Sequence, residues 1–99
     1  MDSNRTVLGG RIAEMGDLRH TPAGTPIVEF AVSHVSRQVE AGIARSVECE
    51  MAAVAVGEAA RRAALLPAGT AVRLEGFLAS RSRGSRQPVL HVNSFETIG

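Results

Sequence analysis

The run Arg81-Ser82-Arg83-Gly84-Ser85-Arg86 places three guanidinium groups within six residues, separated by serines and one glycine. A guanidinium offers phosphate oxygens a planar fork of donors, a serine hydroxyl adds another, and glycine lets the loop follow a flexible polyanion. The run therefore has the parts of a clamp on a phosphate backbone, and its plainer alternative is a hairpin tip kept soluble by charge. Base stacking is the other chemistry that accompanies such a clamp, worth about 1–3 kcal/mol per base on an aromatic ring. The only Phe, Tyr or Trp rings here are Phe30, Phe77 and Phe95. Phe30 is in phase with Val28 and Val32 and reads as core, and Phe95 follows Leu90 and Val92 after a slip of register. Phe77, beside Gly76 and near the basic run, is the best-placed stacking ring.

Further cations could extend a basic track: Arg5 and Arg11 early in the chain, Arg19 before a turn, and Arg37 and Arg45 on either side of a second turn. Each taken alone reads as a solvated surface charge, and Glu40, Glu48 and Glu50 nearby repel phosphate. The Arg61-Arg62 pair reads as the wet face of a helix. For catalysis the sequence is poor. His20, His34 and His91 are scattered, with no CxxC, HxxxH or HExxH spacing, so neither a metal nor a cofactor is expected. Cys49 alternates with acids in a strand-like segment, which predicts an inward, buried thiol rather than a nucleophile. The expectation is a binding module and not an enzyme.

The overall charge agrees with a local rather than global basic site. The net charge is +1, all the cations are arginine, and Met1–Glu75 holds eight of them against nine acids. Gly76–Gly99 holds the three loop arginines against Glu96 alone. With 99 residues and an apolar fraction of 44% drawn mainly from Val, Ala and Leu, the chain suits a single domain over residues 1–99 with a small aliphatic core. Such a core favours burial against a second copy, so a homodimer is expected. A lone cysteine, no apolar leader in MDSNRTVLGG and no run near the roughly 20 apolar residues of a membrane helix predict a cytoplasmic protein with no membrane role.

The elements that must position these residues follow from periodicity and punctuation. Thr6–Ala13 reads as a first strand bent at Gly9-Gly10, and His20–Pro26 as a turn closing a hairpin. Ile27–Arg37 alternates as a second strand, and Gln38–Ala44 connects it to a third over Arg45–Val56. Glu58–Leu66 is a run of helix formers stopped by Pro67 and Gly69. Thr70–Ala79 is a fourth strand that shifts register at Gly76, and Pro88–Ile98 is the fifth. Three strands, a short helix or irregular segment, then two strands is the order of an all-β, five-stranded oligonucleotide-binding barrel, whose middle strands and loops form a ligand face.

Taken in order, Asn4-Arg5, Val7-Leu8, Gly10, Pro22-Ala23-Gly24, Pro26, Phe30, His34, Glu40-Ala41-Gly42, Cys49, Met51, Gly76-Phe77 and Val89-Leu90-His91 resemble the primosomal replication protein N family along nearly the whole chain. The resemblance implies a homodimer of barrels related in fold to bacterial single-stranded-DNA-binding proteins. It implies binding of single-stranded DNA without sequence preference. It also implies partnership with the primosomal helicase and the helicase-loading adaptor in replication restart. Carried onto this sequence, the family's binding face implies Arg19, Arg45, Phe77, Arg81, Arg83 and Arg86. Glu48 and Ile43 stand where the best-known pattern has aromatic rings, and Val35 follows His34 where it has a cation. General single-stranded-DNA-binding proteins usually carry a long acidic tail, whereas this sequence stops just after the last strand, which favours the restart accessory over them. A protein–protein adaptor with little DNA affinity is the rival class, and a sugar- or RNA-binding barrel lacks the aromatic clusters it would need.

Overall fold

In the computed structural model, which describes residues 2–98, the bend at Gly9-Gly10 is what lets one strand serve two neighbours. Strand β1 (Thr6–Met15) pairs antiparallel with β5 (Ala71–Ser80) over Thr6–Arg11 and with β3 (Pro26–Glu40) over Arg11–Met15. A Cβ on Gly10 would overlap the Ser33 carbonyl, so glycine there permits the close crossing of β1 over β3. The register slips between Ile12 and Glu14, completing the bend. Strand β3 pairs with β4 (Ile43–Val56), β4 runs parallel to β6 (Pro88–Thr97), and β6 returns antiparallel to β5. The circuit β1-β5-β6-β4-β3-β1 is a closed five-stranded barrel, with the two-residue β2 (Arg19–His20) attached to the start of β3. The fold is the oligonucleotide-binding barrel that the strand order implies.

The interior is aliphatic, as the composition demands. Ile12, Val28, Val32, Val72, Leu74 and Leu90 are fully buried, and Phe30 fills the space among them. Helix α1 is shorter than its sequence reading: it spans Glu58–Ala63, and Ala64-Leu65 already turn toward Pro67. Its small Ala60 and Ala63 are fully buried, which lets the helix sit close against β3, β4 and β6.

The largest departure from the sequence reading is a β arm. Gln38–Ala44 is not a loop: β3 continues to Glu40, β4 starts at Ile43, and Ala41 (φ 53°) and Gly42 (φ 79°) form the entire turn. Two consecutive positive φ values belong to a type I′ turn, whose twist matches that of the strands it joins. Beyond Ser33 on β3 and before Ala53 on β4 no third strand pairs alongside among the described residues, so the hairpin projects from the barrel. Val35, Val39 and Ile43 are consequently 70%, 74% and 69% exposed. At the base of the arm His34 donates from Nδ1 to the Gly9 carbonyl (2.6 Å) and accepts at Nε2 from the Ser36 hydroxyl (2.8 Å), tying the arm to β1.

The arm also corrects the reading of Cys49. The alternation was in the right phase, since Cys49 faces the same side as Met51 and pairs across from His34. The barrel interior ends near Met51, however, and Cys49 lies on the arm as an exposed, free thiol.

Candidate nucleic-acid interface

The outward-facing residues of β3 and β4 form the floor of a groove of about 530 Å³. Inward residues Val28, Phe30 and Val32 fill the core, so strand alternation turns Ile27, Glu29 and Ala31 outward, and their partners on β4 are Val56, Val54 and Ala52. Ile27, Ala31, Ala52 and Val54 give the groove an apolar floor. Glu14 at the end of β1 and Glu29 and Glu50 on the floor strands add three carboxylates. On the far side stand Arg81, Gln87, Val89 and His91.

The basic run forms the loop between β5 and β6. The Arg81 amide donates to the Gln87 carbonyl (3.0 Å), the Ser85 amide to the Ser82 carbonyl (3.1 Å), and the Gln87 amide to the Ser85 hydroxyl (3.0 Å). These bonds close a compact loop over 81–87 and leave the arginine side chains pointing to solvent. Among the described residues none of Arg81, Arg83 and Arg86 is ion-paired, whereas Arg5, Arg19, Arg45, Arg61 and Arg73 pair with Glu75, Glu29, Glu40, Glu58 and Glu96. Arg11, Arg37 and Arg62 are also outside those ion pairs, but none of them lines the groove, so the unpaired arginine that borders the groove is the loop's Arg81.

The six sequence-predicted site residues do not form a single cluster. Arg81 lines the groove itself, and Arg83 and Arg86 are exposed in the same loop, outside the groove lining. Arg19 lies beside the groove through its ion pair with Glu29 (3.3 Å). Arg45 sits on the arm, held by Glu40 at 2.7 Å, outside the groove lining. Phe77 stands on β5, 37% exposed, with its ring stacked on His91 at 5.0 Å between centroids and 9° between planes. Phe30 is buried as expected, while Phe95 is half-buried under the Arg62 guanidinium, 4.9 Å above its ring. Arg62 thus covers an aromatic face as well as facing water.

His91 is the residue that sequence reasoning missed. It was passed over as one of three scattered histidines, yet it lines the groove and stacks on Phe77. The signal was the register shift at Gly76: the ladder skips Asn93 on β6 between Ser94 and Val92, which sets Phe77 directly opposite His91. Among the described residues no three His, Cys, Asp or Glu side chains converge as a metal set, and no helix is long and apolar enough to cross a membrane.

A closed five-stranded barrel whose outer groove combines an apolar floor with a basic loop is the architecture of the oligonucleotide-binding fold. Residues 4–94 match the model of a family described as "another single-strand binding protein family". Replication restart protein PriB of Nitrosomonas europaea is 40% identical over 98 residues, covering 99% of this chain and 91% of that one, and PriB of Bordetella pertussis is 41% identical over 95 residues, covering 96% and 89%. The solved structure of PriB from Ralstonia solanacearum superposes with a TM-score of 0.88 at 32% identity, over 98% of this chain and all of that one. The single-stranded-DNA-binding protein of Thermus aquaticus shares the fold, with a TM-score of 0.79 at 21% identity, over 98% of this chain and 50% of that one. The chain belongs to the PriB family of replication restart proteins.

Proposed function

We propose that this protein is a replication-restart primosome accessory that binds single-stranded DNA without sequence preference. The reading rests on the separation of two chemistries in one groove: an apolar floor, and a basic loop that lines it with the unpaired Arg81 and carries the unpaired Arg83 and Arg86 beside it. Unstacked bases lose least when their flat faces meet apolar surface, while phosphates need cations and water. A strand lying along the groove satisfies both, with bases toward Ile27, Ala31, Ala52 and Val54 and phosphates toward Arg81, Arg83 and Arg86. The contacts on this face are hydrophobic and ionic, and neither kind reads base identity. Arg19 and Arg45 join the phosphate track only by exchanging their carboxylates, and Phe77 adds a ring at its far end. We propose further that the protein acts as a single-domain homodimer in the cytoplasm without catalysis. In that role it links the primosomal helicase to the helicase-loading adaptor.

Binding of a labelled dT homopolymer, followed by fluorescence anisotropy at rising salt beside a duplex of equal length, tests the reading. Saturable binding of the single strand at low salt, weakening linearly in log–log form, is expected, with little affinity for duplex. Absence of binding at low salt rejects it. One observation favours a second reading: Glu14, Glu29 and Glu50 all line the groove and oppose phosphate entry, as a protein–protein adaptor would tolerate. A failed DNA titration together with retained binding to a purified primosomal helicase selects that adaptor. Sedimentation in the same buffers checks the homodimer, and a monomer at micromolar concentration excludes it.

A further inference from the structure

A second, smaller recess opens from the groove. It has a volume of about 260 Å³ and lies between β4, β5, β6 and α1, with Val54, Val56, Ala59, Phe77, His91 and Asn93 around it. Val54 and His91 line both hollows, so the recess continues the groove across that pair of side chains.

The recess owes its aromatic wall to backbone geometry. At the register slip between Glu75 and Gly76, β5 presses so closely on β6 that a Cβ on residue 76 would overlap the His91 carbonyl. Only glycine fits, and the next residue, Phe77, then lands opposite His91 with the two rings nearly parallel. A cross-strand aromatic pair stabilises a sheet by itself. This pair does more than face its partner, because both rings also border an open recess and Phe77 remains over a third exposed.

The lining selects its occupant. No arginine and no carboxylate borders the recess, so a phosphate finds no counter-charge there. The walls are aliphatic and aromatic, and the exposed Asn93 supplies an amide with both donors and an acceptor. A neutral, flat group with a polar edge matches that chemistry. We propose that the recess is a second subsite for single-stranded DNA that takes one unstacked base against the Phe77–His91 pair, with Asn93 meeting the base edge. The subsite rests on the single-strand-binding reading above and extends it, because it makes the DNA path run past the groove and around β6. His91 becomes the hinge of that path.

The test uses the intact protein and dT oligomers of increasing length, with wild type, Asn93→Ala, His91→Ala and His91→Phe. Asn93 borders the recess and not the groove, so Asn93→Ala carries the length dependence: oligomers long enough to reach the recess are expected to lose roughly fivefold in affinity, and the shortest oligomers that still bind should be unaffected. His91 borders both hollows, so His91→Ala should weaken long oligomers more than short ones, by about tenfold (~1.4 kcal/mol) at lengths that reach the recess, and His91→Phe, which keeps a ring, should restore binding. A 2-aminopurine scanned along the long oligomer with wild-type protein gives a readout that needs no substitution: its fluorescence should be quenched at one position beyond the length that fills the groove. Equal binding by wild type and Asn93→Ala at every length, or a uniform loss at all lengths with no quenched position, overturns the subsite while leaving single-strand binding intact. Absence of any binding by wild type overturns both.

Discussion

Replacing Arg81, Arg83 and Arg86 together by alanine should change how affinity depends on salt far more than it changes stability. All three side chains are exposed and, among the described residues, none is ion-paired, so their removal breaks no ion pair. The loop is closed by the amides of Arg81, Ser85 and Gln87, which alanine leaves in place. Each phosphate neutralised on a single strand adds about 0.7 to the negative slope of log affinity against log salt, so three contacts add about 2. From about 50 to about 200 mM salt a slope difference of about 2 amounts to a roughly 16-fold larger loss of affinity in wild type than in the variant. Arg45→Ala is the informative comparison. Its guanidinium must leave Glu40 before meeting a phosphate, an exchange that offsets about 0–1 kcal/mol of the gain, so it should flatten the slope by less than one full contact. Anisotropy titrations of a labelled dT oligomer at four salt concentrations measure all three slopes. Equal slopes for wild type and the triple variant, or a greater flattening by Arg45→Ala, would refute the assignment of the phosphate rim to the loop.

Other outcomes follow from the packing. Gly76→Ala sets a Cβ against the fixed His91 carbonyl and should lower the urea midpoint by the equivalent of at least about 2 kcal/mol, whereas Gly84→Ala, which meets open space, should stay within about 0.5 kcal/mol. Leu74→Ala empties a fully buried site and should cost about 2–5 kcal/mol in the same denaturation series. Cys49 should react with a thiol reagent at full stoichiometry in native buffer; reaction only after denaturant is added would contradict its place on the arm.

The parts of the fold that were legible in the sequence are those where the chain must either bury an apolar face or escape a steric clash. Val28, Phe30 and Val32 alternate because one side of β3 is core. Gly10 and Gly76 mark the two places where backbones approach too closely for a side chain, and both irregularities were readable from glycine within an apolar run. The arm was hidden because nothing is buried along it: with both faces wet, Val35, Gln38 and Val39 carry no inside–outside pattern, and Gly42 read as the middle of a loop rather than half of a two-residue turn. Cys49 failed for the same reason, since alternation gives the phase of a strand but not the point at which it leaves the core.

In the candidate site, the loop arginines were legible because they lie within six residues of one another. The convergence of Glu14, Glu50, Arg81 and His91 on one groove was not, because it depends on the closure of the barrel. The ion pairs of Arg19, Arg45 and Arg73 join neighbouring hairpin strands, so they depend on register, which alternation alone does not fix.

The most direct test of the central claim is a map of backbone amide chemical shifts in ¹⁵N-labelled protein during titration with a dT oligomer at low salt. Perturbations should concentrate on the loop 81–87, on the outward residues Ile27, Ala31, Ala52 and Val54, and on His91. Shifts confined to α1 or the tip of the arm, or an unchanged spectrum at saturating oligomer, would contradict the account.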